Sequence, residues 1–213
     1  MIAIIDYGVG NLFSLKSSLK QLGLEAVVTA DADTIRKADR LILPGVGAFA
    51  DAMAKLEATG LVPVMKEEAE RKPLLGICLG MQMLFDESEE FGLHKGLGLI
   101  PGWVVKIPST DVKGRPQKVP HISWNPLNPA GGRTDFAGTV LAGVTPGEEC
   151  YFIHSYEAKP ADEADRLADT VYGGRAVCAA AAHGSVVGCQ FHPEKSGKVG
   201  LKIIEEYMKR AEK

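Results

Sequence analysis

The chain has no C-x-x-C pair, although it carries four cysteines (78, 150, 178 and 189). A reducing, cytoplasmic setting is expected, with Cys150, Cys178 and Cys189 in strands or in the core. No apolar run is as long as a membrane span. The opening residues Met1-Ile2-Ala3-Ile4-Ile5 meet an acid at Asp6, with no basic segment before them and no small-residue cleavage site after. They read as a first strand, not as a signal peptide. Long basic runs are missing too, and a net charge of −3 with a pI near 6.0 argues against nucleic acid as a partner. There is no Walker loop. Gly8-Val9-Gly10 hints at a dinucleotide loop, but Phe13 stands where the third glycine would be, so a tight turn is the better reading. No repeat and no low-complexity segment interrupts the 213 residues, of which 46% are hydrophobic. That suffices for one sizeable core, and residues 1–213 are expected to form a single domain.

What is present begins as an alternation of strands and helices. Ile2 to Asp6 is a continuous apolar run of the buried, parallel kind. Asn11 can cap a helix with Leu12, Leu15, Leu19 and Leu22 on one face, ended by Gly23. Glu25 to Thr29 reads as a second strand, and Arg40 to Leu43 as a third, stopped by Pro44. A helical region over Asp51 to Arg71 is broken near Gly60 and Pro63. Leu74 to Ile77 is a fourth strand, followed after Cys78 by a helix to about Glu87. This order implies an α/β, flavodoxin-like, open and parallel-rich sheet with helices on both faces. From Leu97 to Gly138, six prolines and many glycines disfavour helices, so short strands and loops beside the main sheet are expected. Extra strands are expected at Glu149 to Ala158, Leu167 to Tyr172, Ala176 to Ala182 and Val186 to Phe191. A last helix, about Lys198 to Lys209, sets Val199, Ile203, Ile204 and Tyr207 on one face, with Lys209 and Arg210 suited to its dipole.

The stretch Leu74-Leu75-Gly76-Ile77-Cys78-Leu79-Gly80-Met81-Gln82 stands out. A buried strand stops at a cysteine and a helix begins at once, with glycines two before and two after. That is the pattern of a nucleophile elbow with Cys in place of Ser. A side chain at either glycine would collide with the neighbouring strand or helix. The helix N-terminus behind the sulfur would favour thiolate. A cysteine nucleophile needs a base, and the base an orienter. His192 follows an apolar strand, at the end where active-site residues of parallel sheets gather. In an extended His192-Pro193-Glu194, residues i and i+2 face the same side, so Glu194 can hold one ring nitrogen while the other faces the thiol. His-x-Glu also occurs in zinc deaminases, but the Pro-Cys-x-x-Cys partner they require is missing and no metal is expected. Pro44-Gly45-Val46-Gly47 is either a plain turn or an oxyanion loop. In the second case Gly45, Val46 and Gly47 would present an N–H to developing charge, together with the N–H of Leu79. The reaction class implied is acyl transfer through a thioester.

Gly-Ile-Cys-Leu-Gly-Met-Gln and Phe-His-Pro-Glu, in this order, resemble the elbow and base motifs of the class I, Cys-His-Glu glutamine amidotransferases. Within that family the chain is most similar to the glutaminase subunits of imidazole glycerol phosphate synthase. Ile5 to Leu12, Leu43 to Gly47, His121-Ile122-Ser123-Trp124-Asn125, Tyr151 to Tyr156 and Gln190 to Ser196 carry that similarity over most of the chain. The sister subunits of anthranilate or aminodeoxychorismate synthases usually read Gly-His-Gln after the cysteine and His-Pro-Glu-Ser at the base. Met81 and Lys195 argue against them. The resemblance implies that Cys78 attacks glutamine, that His192 serves the leaving ammonia and then water, and that Glu194 orients His192. It implies that Gln82 and Glu90 bind glutamine together with main-chain groups near Ser155 and Tyr156. No cofactor is implied. The implied partner is a (β/α)8-barrel cyclase that receives the ammonia. Asn11, Trp124, Asn125, Tyr151 and Lys195 match the family's interface, and the glutaminase is expected to be nearly silent without that partner. A free-standing cysteine hydrolase or a non-catalytic module of the same fold is the alternative.

Overall fold

The structure, a computed structural model, describes residues 1–209. Its elements in chain order begin with β1 (Ile2–Ile5), α1 (Leu12–Gln21), β2 (Ala26–Thr29), α2 (Ala32–Lys37), β3 (Arg40–Gly45), α3 (Phe49–Ala58), α4 (Val62–Ala69), β4 (Leu74–Cys78) and α5 (Leu79–Met83). There follow β5 (Glu87–Ser88), β6 (His94–Lys95), β7 (Gly102–Lys106), β8 (His121–Pro126), β9 (Asn128–Pro129), β10 (Glu149–His154) and β11 (Tyr156–Pro160). The chain closes with β12 (Arg166–Tyr172), β13 (Arg175–His183), β14 (Val186–Cys189) and α6 (Gly197–Met208).

The main sheet has eight strands in the order β2-β1-β3-β4-β14-β13-β12-β9. Pairing is parallel from β2 to β14 and antiparallel beyond. Alternation explains why helices cover both faces. Ala3, Ile5, Leu41 and Leu43 point into a core with Ile35 of α2, Phe49 of α3 and Met65 of α4. Ile2, Ile4 and Ile42 point to the other side, into a core with Leu15 of α1 and Ile203, Ile204 and Tyr207 of α6. Strands apolar on both faces are the mark of a covered parallel sheet. The second half adds a two-stranded ribbon, β10-β8, and a four-stranded sheet, β11-β7-β5-β6.

Several boundaries differ from the sequence expectations. β3 runs through Pro44 to Gly45, because the chain stays in register with β4 up to Gly45↔Cys78. Proline is tolerated at the end of the strand, where Tyr7 Oη donates to its carbonyl at 2.7 Å. Pro63 opens α4 instead of breaking a helix, since the first turn has no partner for its N–H anyway. The helix after Cys78 ends at Met83, not near Glu87. The carbonyls of Met83, Leu84 and Phe85 accept from Leu97, Leu99 and Gly98, so a returning loop takes the helix's next acceptors. The segment from Glu149 to Ala158 is two strands. At Ser155 the chain leaves β8 and joins β7. The helix α2 had no counterpart in the sequence reading. Of the two basic residues expected at the end of α6, Lys209 is its C-cap and Arg210 lies outside the described residues. No helix among the described residues is long and apolar enough to cross a membrane.

Candidate active site

Three neighbouring strands of the main sheet, β3, β4 and β14, end together and deliver the candidate residues. β4 stops at Cys78, which has φ 55° and ψ −113°. Cys78 and Phe91 are the non-glycine residues with positive φ among those described, and Phe91 directly follows Glu90. A side chain held in that region costs about 1–3 kcal/mol and is tolerated only where the surroundings fix it. Here they do. A Cβ on Gly76 would lie 2.7 Å from the Gly80 carbonyl oxygen, and one on Gly80 would run into the Leu43 carbonyl of β3. The turn closes only with glycine at both places, as the elbow pattern requires.

His192 sits just past β14, buried at 2% exposure, with its main-chain N–H donating to Tyr151. The His192-Pro193-Glu194 segment is not extended as the sequence suggested. Pro193–Lys195 form a 3-10 turn, and the pairing arises from that turn instead. His192 Nδ1 meets Glu194 Oε1 at 2.7 Å, both side chains being 3% exposed. Burial alone would disfavour the charged ring. Hydrogen bonds to, and negative charge on, the Cys78 sulfur and the Glu194 carboxylate outweigh burial and push His192 up to about 9. The other cysteines differ. Burial pushes Cys150 and Cys178 up to about 12, and Cys189 in the same direction, which makes them inert core thiols.

A cavity of about 330 Å³ opens over Cys78, large enough for an amino acid. Val46, Gly47, Leu79, Gln82, Glu90, Ser155, Tyr156, His192 and Lys195 all line it. Gly47 has φ 96° and Val46 is 41% exposed, while Gly45 stays in the sheet beside Cys78. Gln82 Nε2 donates to the Tyr156 carbonyl at 3.0 Å and to Gln190 Oε1 at 2.9 Å, which leaves Gln82 Oε1 for a ligand. Glu90 Oε2 accepts from Phe49 N at 2.7 Å and so caps α3, whose own N-cap Ala48 has no side-chain oxygen.

The residues expected at the partner interface divide. Trp124 is half exposed and packs on Tyr151, with ring centroids 5.9 Å apart. Lys195 Nζ stands 5.9 Å over the Tyr151 ring, which itself lies 6.4 Å from His192. These three form a rim beside the cavity. Asn125 is not brought to them. It alternates to the opposite face of β8, where Nδ2 donates to the Val171 carbonyl at 3.1 Å. Asn11 caps α1 with its Oδ1 and borders a small void shared with His192 and Glu194.

Sequence reasoning passed over three polar residues at this site. Gln190 is fully buried, and its Nε2 lies 3.9 Å from Cys78 Sγ. Its position two before His192 was the available signal, because it places both on one side of the chain. His154 lines the cavity and donates from Nδ1 to the Tyr156 carbonyl at 2.8 Å. His121 meets His154 Nε2 through Nδ1 at 3.1 Å. Burial pushes His154 down to about 3 and lowers His121 as well, so both rings are neutral hydrogen-bonding parts. Cys78 Sγ is also 3.7 Å from the Ile153 carbonyl, the geometry of a weak S–H donor.

Comparison with known proteins agrees with this geometry. The model of the family "Glutamine amidotransferase class-I" matches residues 3–210. The imidazole glycerol phosphate synthase subunit HisH of Geobacillus kaustophilus is 49% identical over 209 residues, covering 98% of this chain and 96% of that protein. The subunit HisH 1 of Legionella pneumophila (strain Lens) is 45% identical over 208 residues, covering 97% and 98%. Among solved structures, one described as a glutamine amidotransferase superposes with a TM-score of 0.72 at 19% identity, covering 98% of this chain and all of the other. PurLQS from Thermotoga maritima gives 0.71 at 19%, covering 97% and 96%. The two structural likenesses speak for the fold, and the sequence relatives for more than the fold. The chain belongs to the class-I glutamine amidotransferases and, among them, to the HisH subunits of imidazole glycerol phosphate synthase.

Proposed function

We propose that this single domain hydrolyses glutamine to glutamate and ammonia, as the glutaminase subunit of an imidazole glycerol phosphate synthase in the cytoplasm. The observation that carries the reading is one cavity lined by Cys78 at a strained elbow, by His192 braced by Glu194, and by Gln82 and Glu90.

Cys78 gives its proton to His192 as Sγ attacks the carboxamide carbon of glutamine, and the carbonyl oxygen takes the negative charge. The N–H of Leu79 and an N–H of the Gly45-Val46-Gly47 loop receive that oxyanion; one such donor is typically worth about 3–4 kcal/mol of barrier. Collapse breaks the C–N bond, and the His192 imidazolium gives its proton to the departing ammonia. The neutral ring, held by Glu194, then takes a proton from water, which attacks the thioester. The C–S bond breaks, His192 returns the proton to the sulfur, glutamate leaves and the thiol is restored. Gln82 Oε1 accepts from the amino-acid head group, Glu90 faces its ammonium, and main-chain groups of Ser155 and Tyr156 close the site.

Ammonia released into solvent would be lost, so an acceptor must dock over the cavity. The partner is a (β/α)8-barrel cyclase, which uses the ammonia to make imidazole glycerol phosphate and an aminoimidazole carboxamide ribotide in histidine biosynthesis. Trp124, Tyr151 and Lys195 form the rim on which it sits. Gly47 gives the oxyanion loop two peptide orientations, and docking of the liganded cyclase selects the one that turns an N–H inward. Glutamate release is measured for the chain alone, with the cyclase, and with the cyclase plus its ribonucleotide ligand. The expected result is a rise of at least 10-fold on docking of the liganded cyclase. Equal rates in all three would sink the gating, and full turnover without any partner would point to a free-standing hydrolase.

A further inference from the structure

Gln190 touches both the attacking sulfur and the residue assigned to the substrate's head group. Its placement is rigid. The side chain is fully buried, and its main-chain N–H donates to the Ala179 carbonyl at 2.9 Å. The orientation of its carboxamide follows from partners further along. The Tyr156 carbonyl is an acceptor only, so the Gln82 atom 3.0 Å away must be the donor Nε2. The second N–H of Gln82 Nε2 points to Gln190 at 2.9 Å, so the atom there must be the acceptor Oε1. That leaves Gln190 Nε2 facing Cys78 Sγ at 3.9 Å. A carbonyl on β11 thus dictates which end of a buried amide meets the sulfur.

We propose that Gln190 is a catalytic residue: its Nε2–H stabilises the Cys78 thiolate and aims it at the cavity, while its Oε1 fixes the Gln82 amide with the oxygen toward glutamine. This rests on Cys78 being the nucleophile. A donor to a thiolate raises the thiolate fraction but lowers its nucleophilicity, with a Brønsted slope of about 0.4–0.5. A tenfold gain in thiolate therefore yields only about threefold in rate, and the titration of the thiol is the sharper readout.

Gln190→Glu and Gln190→Met separate the two roles. The glutamate keeps an acceptor for Gln82 but presents an oxygen to the sulfur. The methionine is apolar and of similar volume, and removes both bonds. The titratable groups around the sulfur are His192, with Glu194 behind it, Tyr7, and Glu90, His154, Tyr156 and Lys195 on the cavity wall, and both variants retain them. Alkylation of the intact chain by iodoacetamide is followed from pH 5 to 10, with Cys78→Ala as the blank for the other thiols. Steady-state glutamate release with the cyclase is measured alongside.

In Gln190→Glu the alkylation midpoint should rise by more than about one pH unit. Its kcat should fall about 10-fold or more, with KM for glutamine within about threefold of wild type. Gln190→Met should raise the midpoint and also raise KM about 10-fold. If Gln190→Glu does not fold, Gln190→Met carries the test. A midpoint within about 0.3 units of wild type in a folded variant overturns the proposal. A Cys78→Ala chain that still releases glutamate overturns the nucleophile reading instead, and the two failures are distinct.

Discussion

Glu194→Gln probes how the base is charged. The carboxylate lies 2.7 Å from His192 Nδ1, and both side chains are 3% exposed. Burial disfavours the imidazolium, yet Cys78 and Glu194 hold the ring protonated to about pH 9, against an ordinary 6.5. At about 1.4 kcal/mol per pH unit, that difference is on the order of 3 kcal/mol in favour of the charged ring, shared between the two neighbours. The folded value lies above the unfolded one. The stabilisation is therefore complete below pH 6.5 and disappears as pH rises through 9. Glutamine at 194 still accepts from Nδ1 but carries no charge. The wild-type loss of unfolding free energy between pH 6.5 and 9.5 should shrink by about 1–2 kcal/mol in the variant, measured by urea denaturation at several pH values. Ammonia departure needs the imidazolium, so the alkaline limb of kcat/KM should move at least about one unit toward neutrality. The turnover itself should fall about 10²- to 10⁴-fold, as when a triad's orienting carboxylate is made neutral. A folded variant with wild-type stability at every pH and an unmoved alkaline limb would refute this account.

Gly80→Ala drives a methyl group into the Leu43 carbonyl, and thermal unfolding should show a loss of about 3 kcal/mol or more. Gly60→Ala, where a Cβ meets open space but φ is 71°, should cost about 1 kcal/mol in the same assay. Glu90→Gln weakens the charged cap on Phe49 N and should cost about 1 kcal/mol of stability, while raising KM for glutamine about 10-fold in a glutamate-release assay. Trp124→Ala, on a half-exposed rim, should leave stability within about 0.5 kcal/mol yet weaken cyclase association, as read by titration calorimetry.

Local steric demands were easier to read from the sequence than the path of the chain. The Gly76-Cys78-Gly80 spacing is a local steric demand, so it was visible without a structure. The alternation of buried strands and helices was legible for the same reason: Ile2 to Ile5 is apolar at every position because both faces are covered. What escaped depends on partners distant in sequence. The end of α5 is set by a loop that returns at Leu97 to Leu99, and the break at Ser155 by a change of pairing strand. α2 is six residues long, too short for a periodic signal, although Asp31 capping Thr34 was there to be seen. The His192–Glu194 contact was anticipated for the wrong geometry, since a 3-10 turn brings together the same two side chains an extended segment would. Gln190 was missed because an amide in an apolar strand carries no titration or metal signal.

The Glu90 cap on α3 has a mechanical consequence. Upstream, Gly45 is clamped in the sheet opposite Cys78. Downstream, Phe49 N is pinned to Glu90, which also lines the cavity over Cys78. Between these two bearings the backbone can turn only like a crankshaft, about the peptide planes flanking Val46 and Gly47. On the proposed function, an amino acid seated against Glu90 would load one bearing of the shaft directly, with the exposed Val46 side chain as its handle.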